Sequence, residues 1–161
     1  MYLSEKISLW HPIHFLSLGF GSGLIPKAPG TFGTLAAIPL VWLLTWLPSW
    51  QWYAAVVVIA ALIGIWMCHY TARAMGVHDH PAIVWDEIVG FAVAMFLVPM
   101  EPLWLVLGFL IFRFFDIKKP GPIGWCDVRL HGGLGIMVDD IIAGIATALC
   151  LHGLLWLLPA W

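Results

Sequence analysis

The stretch HGGLGIMVDDIIAGIATALCLHGLLWLL, residues 131–158, is long and apolar enough to cross a bilayer as one helix. Its hydrophobic part begins with two adjacent carboxylates, Asp139 and Asp140. Acids placed in or beside hydrocarbon are costly unless a cation or a partner neutralises them. The pair therefore needs an explanation beyond the packing of a helix.

A second apolar stretch repeats this pattern. IVWDEIVGFAVAMFLV, residues 83–98, carries Asp86 and Glu87 near its start. In a soluble protein, acids in a first helical turn simply complement the helix dipole. At the edge of hydrocarbon, two such pairs favour a divalent cation held at a membrane surface.

Composition indicates one integral membrane domain over residues 1–161. The chain is 62% hydrophobic and 10% charged, with a mean hydropathy of +0.96, whereas soluble domains are about 25% charged. The start of the chain lacks the pattern of a secretory signal peptide. The three cysteines are scattered without a CxxC motif, which argues against a disulfide framework or a zinc site.

Hydropathy predicts an all-α fold, a small polytopic membrane bundle of about four to five transmembrane or membrane-embedded helices. Short breaks, such as the one from Pro99 to Pro102, favour antiparallel neighbours. The five predicted segments are Thr34–Leu47, Trp52–Tyr70, Ala82–Val98, Pro102–Phe115 and Ile136–Leu158.

Charge placement predicts the topology. Five crossings put all seven basic residues on or near one side of the membrane: Lys6, Lys27, Arg73, Arg113, Lys118, Lys119 and Arg129. Because Lys and Arg mark the cytoplasmic side, the N-terminus is predicted inside and the C-terminus outside. The same crossings collect nearly all the acids on the cytoplasmic side, with Asp79 and Asp127 in connecting loops. Carboxylates suit Mg²⁺ and the neighbouring bases suit a phosphate, so a phosphoester site facing the cytoplasm is predicted.

Two glycine-rich segments precede predicted helices. Pro29-Gly30-Thr31 predicts a helix entry, with Thr31 or Thr34 as N-cap. Neither segment is a GxxxxGK[ST] loop or a GxGxxG that follows a strand, so nucleotide binding is not supported, and no nucleic-acid partner is expected. Glycines beside the acids, Gly132 and Gly133, would let the backbone approach a ligand closely.

Four blocks, in this order and spacing, resemble the phosphatidylglycerophosphatase A family: FGSGLIPKAPGTFGTLAAIP, VHDHPAIVWDEIVG, FRFFDIKKPGPI and HGGLGIMVDDIIAG. The resemblance extends from about Phe15 to Gly144. It implies a Mg²⁺-dependent, multi-pass phosphatase of the bacterial inner membrane. Such an enzyme removes the terminal phosphate of phosphatidylglycerophosphate and releases phosphatidylglycerol.

We predict metal-assisted hydrolysis of this phosphate monoester. Residues expected to hold one or two Mg²⁺ ions are Glu87, Asp116, Asp139 and Asp140. Arg113 and Lys119 are expected to neutralise phosphate oxygens, and Asp86 or Asp79 to act as general base. Residues expected to bind the rest of the substrate are Gly23, Thr31, Lys118, Arg129, Gly132 and Gly133.

Three alternatives stay open from the sequence. A covalent aspartyl-phosphate on Asp116 could replace direct attack by water. A divalent-cation carrier or channel subunit could use the same acids, but it would need acids along a path to the far side, where Glu101 is the only charge. A non-catalytic lipid-binding scaffold would bind the phosphorylated lipid without turnover.

Overall fold

A computed structural model describes residues 7–77 and 80–158, and every element in these ranges is helical. This confirms the all-α prediction. The elements are α1 (Pro12–Ser17), a 3₁₀ helix (Gly19–Leu24), α2 (Pro29–Leu44), α3 (Trp50–Met75), α4 (Trp85–Ala94), α5 (Pro102–Lys118), α6 (Pro122–Arg129) and α7 (Gly132–Leu157). The five predicted segments correspond to α2, α3, α4, α5 and α7. The sequence did not predict the three shorter helices.

Helix α4 is the centre of the bundle, and α7 packs closely across it. A Cβ atom at Gly144 would lie against the carbonyl oxygen of Gly90, and one at Gly90 would lie 2.7 Å from the carbonyl oxygen of Asp140. Glycine removes the side chain that would hold the two backbones apart. From the sequence, Gly90 and Gly144, each in the helix just after an acid pair, are predicted to be small-residue helix contacts. The structure confirms this prediction, and the crossing brings the two acid pairs together.

Two apolar clusters pack on either side of α4. Phe91 lies edge-on to Phe112 of α5, with ring centroids 6.0 Å apart, and both side chains are fully buried. On the other side, Val89 packs with Cys68 of α3 and Met137 of α7. Close van der Waals packing of these side chains fixes α4 between its neighbours.

The boundaries of α7 and α2 differ from the predicted ones. Helix α7 begins at Gly132, so Asp139 and Asp140 lie two turns inside it rather than at its entrance. A Cβ atom at Gly133 would collide with the carbonyl oxygen of Ile65 in α3, so this glycine allows α7 to pack closely on α3. Helix α2 has Ala28 as its N-cap, so the predicted threonine cap is wrong.

The third predicted segment is also shorter than expected. Helix α4 ends at Ala94 rather than continuing to Val98, because the chain turns at Leu97, which has a φ of 58°. At 1.5 Å per residue, α4 is only about 15 Å long, half the thickness of a hydrocarbon core. It therefore carries Asp86 and Glu87 into the bundle without crossing a bilayer by itself.

Within the described residues, α3 and α7 are long and apolar enough to cross a membrane, at 26 residues each. Their outward side chains are large and apolar: Leu62 of α3 is 63% exposed and Leu149 of α7 is 70% exposed. These two helices indicate association with a membrane. Helix α2 is apolar but shorter, with 16 residues.

Candidate functional site

A polar cleft lies where α2 and α4 begin, α5 ends and α7 has completed its first two turns. Its volume is about 280 Å³. The lining residues are Ala28, Pro29, Gly30, Pro81, Ile83, Asp86, Glu87, Arg113, Asp116, Lys119, Asp139 and Asp140. The convergence of acids from three helices, expected from the sequence, is therefore present in the structure.

Three of these acids form a compact group of carboxylates. Ligand oxygens of Asp86, Glu87 and Asp140 all lie within 4.8 Å of one another. One oxygen of each side chain, Asp86 Oδ1, Glu87 Oε2 and Asp140 Oδ2, is buried without a hydrogen-bond partner. Buried carboxylate oxygens without donors are costly. The three carboxylates fit a hard divalent cation such as Mg²⁺, which prefers oxygen ligands.

Arg113 lies beside this group and is shared between two acids. Its Nη1 donates to Asp116 Oδ2, one helical turn along α5, and lies 3.7 Å from Glu87 Oε1. The side chain is only 14% exposed, and its Nε is buried without a partner. Gly30 makes room for it, because a Cβ atom there would lie 3.0 Å from Arg113 Nη1. The guanidinium thus lines the cleft with its positive charge and keeps one buried donor without an acceptor.

Lys119 provides the second positive charge. Its Nζ donates to Asp139 Oδ2 on α7 and to Asp127 Oδ1 on α6, both at 2.5 Å. Partial burial disfavours the charged form, but the two carboxylates outweigh this effect and raise the pKa of Lys119 above its usual range. Lys119 therefore stays an ammonium throughout the physiological pH range.

The structure brings seven of the predicted site residues into the cleft: Asp86, Glu87, Arg113, Asp116, Lys119, Asp139 and Asp140. Asp79, predicted as a possible general base, lies outside the described residues. The remaining predicted residues do not line the cleft: Gly23, Thr31, Lys118, Arg129, Gly132 and Gly133.

The glycines in this last group have packing contacts instead. A Cβ atom at Gly23 would collide with the carbonyl oxygen of Ala82, and one at Gly132 would lie 2.7 Å from the ring of His69. Lys118 is exposed at the end of α5. Arg129 lies over the ring of Trp125, 5.5 Å from its centroid. Thr31, in the first turn of α2, is partly buried next to Gly30.

Sequence reasoning did not select two residues that lie in the cleft or contact its lining. Gly30 was recognised as part of a helix entry but not as the position that leaves space for Glu87 and Arg113. Asp127 was placed in a loop, although it lies on α6 and contacts Lys119. A signal was available for Asp127, since Pro122 follows Gly121, a combination that often begins a helix.

Comparison with known proteins identifies the family. The family model described as "PgpA: Phosphatidylglycerophosphatase A" matches residues 15–155. The Escherichia coli K12 protein named phosphatidylglycerophosphatase A is 50% identical over 145 residues, which cover 89% of this chain and 84% of that protein. The Haemophilus influenzae protein of the same name is 43% identical over 156 residues, 96% of each chain.

A more distant relative carries a different name. A Bacteroides thetaiotaomicron protein, provisionally named a phosphatidylinositol-3-phosphatase, is 34% identical over 150 residues, which cover 89% of this chain and 93% of that protein. No solved structure matches the chain significantly. The family model covers most of the chain, and both closer relatives exceed 40% identity over at least 84% of their lengths. The chain belongs to the phosphatidylglycerophosphatase A family.

Proposed function

We propose that this protein is a Mg²⁺-dependent phosphatase that converts phosphatidylglycerophosphate and water to phosphatidylglycerol and inorganic phosphate. The observation that carries the proposal is one cleft with two complementary parts. Asp86, Glu87 and Asp140 offer buried carboxylate oxygens without donors. Arg113 and Lys119 supply positive charge beside them. This combination fits a cation and a phosphate at one place.

Glu87 and Asp140 are the proposed cation ligands, since Mg²⁺ typically takes one or two protein carboxylates and completes its shell with water and phosphate. Bound Mg²⁺ would polarise the phosphoester and acidify a nearby water. Asp86, whose Oδ1 is buried without a partner, is the proposed acceptor of the proton that this water loses.

Asp116 and Asp139, expected from the sequence to bind metal, have a different proposed role. Asp116 accepts a hydrogen bond from Arg113, and Asp139 accepts one from Lys119. Each acid thereby orients a cation that would bind phosphate oxygens. Because the transition state spreads its negative charge over three equatorial phosphate oxygens, positive groups fixed in that geometry would stabilise it more than the ground state. The glycerol oxygen leaves with a proton, and the water oxygen becomes part of the phosphate.

The proposed setting is a bacterial inner membrane, with the cleft at the cytoplasmic face. Support comes from the basic residues at the cleft end of the bundle, including Arg73 at the end of α3 and Arg129 at the end of α6. Helices α2 and α5, with 16 and 17 residues, would be embedded together with α3 and α7 in a multi-pass arrangement. The lipid tails would stay in hydrocarbon while the headgroup enters the cleft.

Purified protein in detergent or vesicles, supplied with phosphatidylglycerophosphate, tests this function by release of inorganic phosphate. We expect release with Mg²⁺ and none after chelation. Phosphatidylinositol 3-phosphate, suggested by the name of the Bacteroides relative, should be hydrolysed more slowly because its ring adds bulk at a small cleft. Binding of phosphatidylglycerophosphate without phosphate release would contradict the proposal and favour a lipid-binding scaffold.

A further inference from the structure

Helix α6 brings a carboxylate against Lys119, a cleft residue, and the proposed reaction does not use this carboxylate. Asp127 Oδ1 accepts a hydrogen bond from Lys119 Nζ at 2.5 Å. The same ammonium donates to Asp139 Oδ2 at 2.5 Å. The two acids differ in environment, since the side chain of Asp139 is 7% exposed and that of Asp127 is 40% exposed. Lys119 is therefore held between a buried acid and a solvated one.

The backbone between Lys119 and α6 makes this contact possible. Lys119 has a φ of 44° and ends α5, and Gly121, with a φ of 55°, precedes α6. These left-handed conformations reverse the chain direction within a few residues. A Cβ atom at Gly124 would lie 2.5 Å from the carbonyl oxygen of Lys119, so α6 packs directly against the residue whose side chain Asp127 contacts.

The arrangement matters for a lysine that must bind phosphate. A lysine side chain is a flexible four-carbon chain that ends in a compact positive charge, so its ammonium can turn toward the nearest carboxylate. With Asp139 alone, the ammonium would settle against the more buried carboxylate, where the attraction is stronger. A second carboxylate on the solvent side holds Nζ between the two acids, at the wall of the cleft.

We propose that Asp127 is a positioning residue that holds the Lys119 ammonium where a substrate phosphate can contact it. This inference rests on the proposed phosphatase function and extends it to α6. Asp127 does not line the cleft, so it acts through Lys119 rather than on the substrate itself.

The test is a double-mutant cycle with Asp127→Asn and Lys119→Met, measured as phosphate release from phosphatidylglycerophosphate in mixed micelles with Mg²⁺. In the wild-type background, Asp127→Asn should lower kcat/KM about tenfold, chiefly through KM, and weaken inhibition by inorganic phosphate by a similar factor. In the Lys119→Met background, the same substitution should change kcat/KM less than twofold, because the residue through which it acts is gone.

Two further variants distinguish positioning from general damage to α6. Asp127→Glu keeps the carboxylate and should recover at least half of the wild-type kcat/KM. Val128→Thr, at the adjacent exposed position, preserves shape and does not alter the lining of the cleft, so its activity should equal that of the wild type. Because Asp127 is exposed, these substitutions should leave the helical circular dichroism spectrum unchanged.

Several outcomes would overturn the inference. They are a change below twofold in Asp127→Asn, an equal loss in the Lys119→Met background, or no recovery in Asp127→Glu. If wild-type protein is active while any of these holds, only the role of Asp127 is wrong. If wild-type protein releases no phosphate at all, the proposed function fails and this inference fails with it.

Discussion

Asp139 and Asp140 are neighbours in the sequence, yet they belong to two different parts of the cleft. Asp140 joins Asp86 and Glu87 in a carboxylate group with unpartnered oxygens. Asp139 is paired with Lys119. Adjacent residues on a helix point about 100° apart, so one turn of α7 supplies both parts. The difference shows that the surrounding helices, rather than the acid pair itself, decide which carboxylate is paired with a cation: Asp139 Oδ2 accepts from Lys119, although Asp139 Oδ1, like Asp140 Oδ2, has no partner.

The largest expected effect separates these two neighbours. Asp140→Asn should lower kcat about 1,000-fold, because it removes a proposed metal ligand and with it most of the charge stabilisation at the phosphate. Asp139→Asn should lower kcat only about 10- to 100-fold, because Lys119 keeps Asp127 as a partner. Phosphate release at saturating lipid and Mg²⁺ measures both. Equal losses in the two variants would show that the division is wrong.

Removal of Mg²⁺ should affect the carboxylate group and not the pair of Lys119 and Asp139. In wild-type protein, Mg²⁺ at about 100 times its Kd should stabilise the fold by about 2.7 kcal/mol, seen as a higher melting temperature in detergent. The increase should be lost in Asp140→Asn and retained in Lys119→Met, since Lys119 belongs to the paired part. A Mg²⁺-dependent shift that persists in Asp140→Asn would place the cation elsewhere.

Arg113 lies beside Glu87 of the carboxylate group and is paired with Asp116. Its substitution should have an intermediate effect on activity. Arg113→Lys keeps the charge but cannot contact Glu87 and Asp116 with one planar group. We expect kcat/KM for phosphatidylglycerophosphate to fall about 10- to 100-fold. Arg73→Lys, at an exposed position near the end of α3, is the matched control and should retain full activity. Full activity in Arg113→Lys would indicate that point charge alone suffices.

The sequence was sufficient to predict that the cleft acids converge, because the crossings predicted from hydropathy and basic residues bring them together, and the structure places them in one cleft. It also predicted the packing role of Gly90 and Gly144.

The spacing of Arg113 and Asp116, three residues apart on α5, already allowed their ion pair. The sequence could not separate Asp139 from Asp140 by partner, since only the tertiary fold brings Lys119 to Asp139. Periodicity carries no information on such contacts between distant segments.

The start of α7 was misplaced for a related reason. Glycine usually weakens helices, so Gly132 and Gly133 were interpreted as part of a ligand-binding loop. In the structure, α3 lies so close that a Cβ atom at Gly133 would collide with the backbone at Ile65. Close packing against a neighbouring helix thus overrides local propensity, and seven residues of α7 precede Asp139.

The smallest expected effect concerns the space that Gly30 leaves between the carboxylate group and the paired cations. Gly30 lies in the first turn of α2, where a Cβ atom would collide with Glu87 Oε1 and lie 3.0 Å from Arg113 Nη1. Both are ends of flexible side chains, so Gly30→Ala should be accommodated by small shifts, at the low end of the roughly 1–3 kcal/mol that overpacking costs.

These shifts would displace the side chains of Glu87 and Arg113 from their present positions in the cleft. We expect phosphate release by Gly30→Ala to fall about fivefold, with the melting temperature in Mg²⁺ nearly unchanged. Gly153→Ala is the matched control, because a Cβ atom there meets nothing within 4 Å and α7 should gain stability from alanine. If Gly30→Ala matched Gly153→Ala in activity, the cleft would tolerate displacement of both side chains, and the distance between the carboxylate group and the paired cations would not limit the reaction.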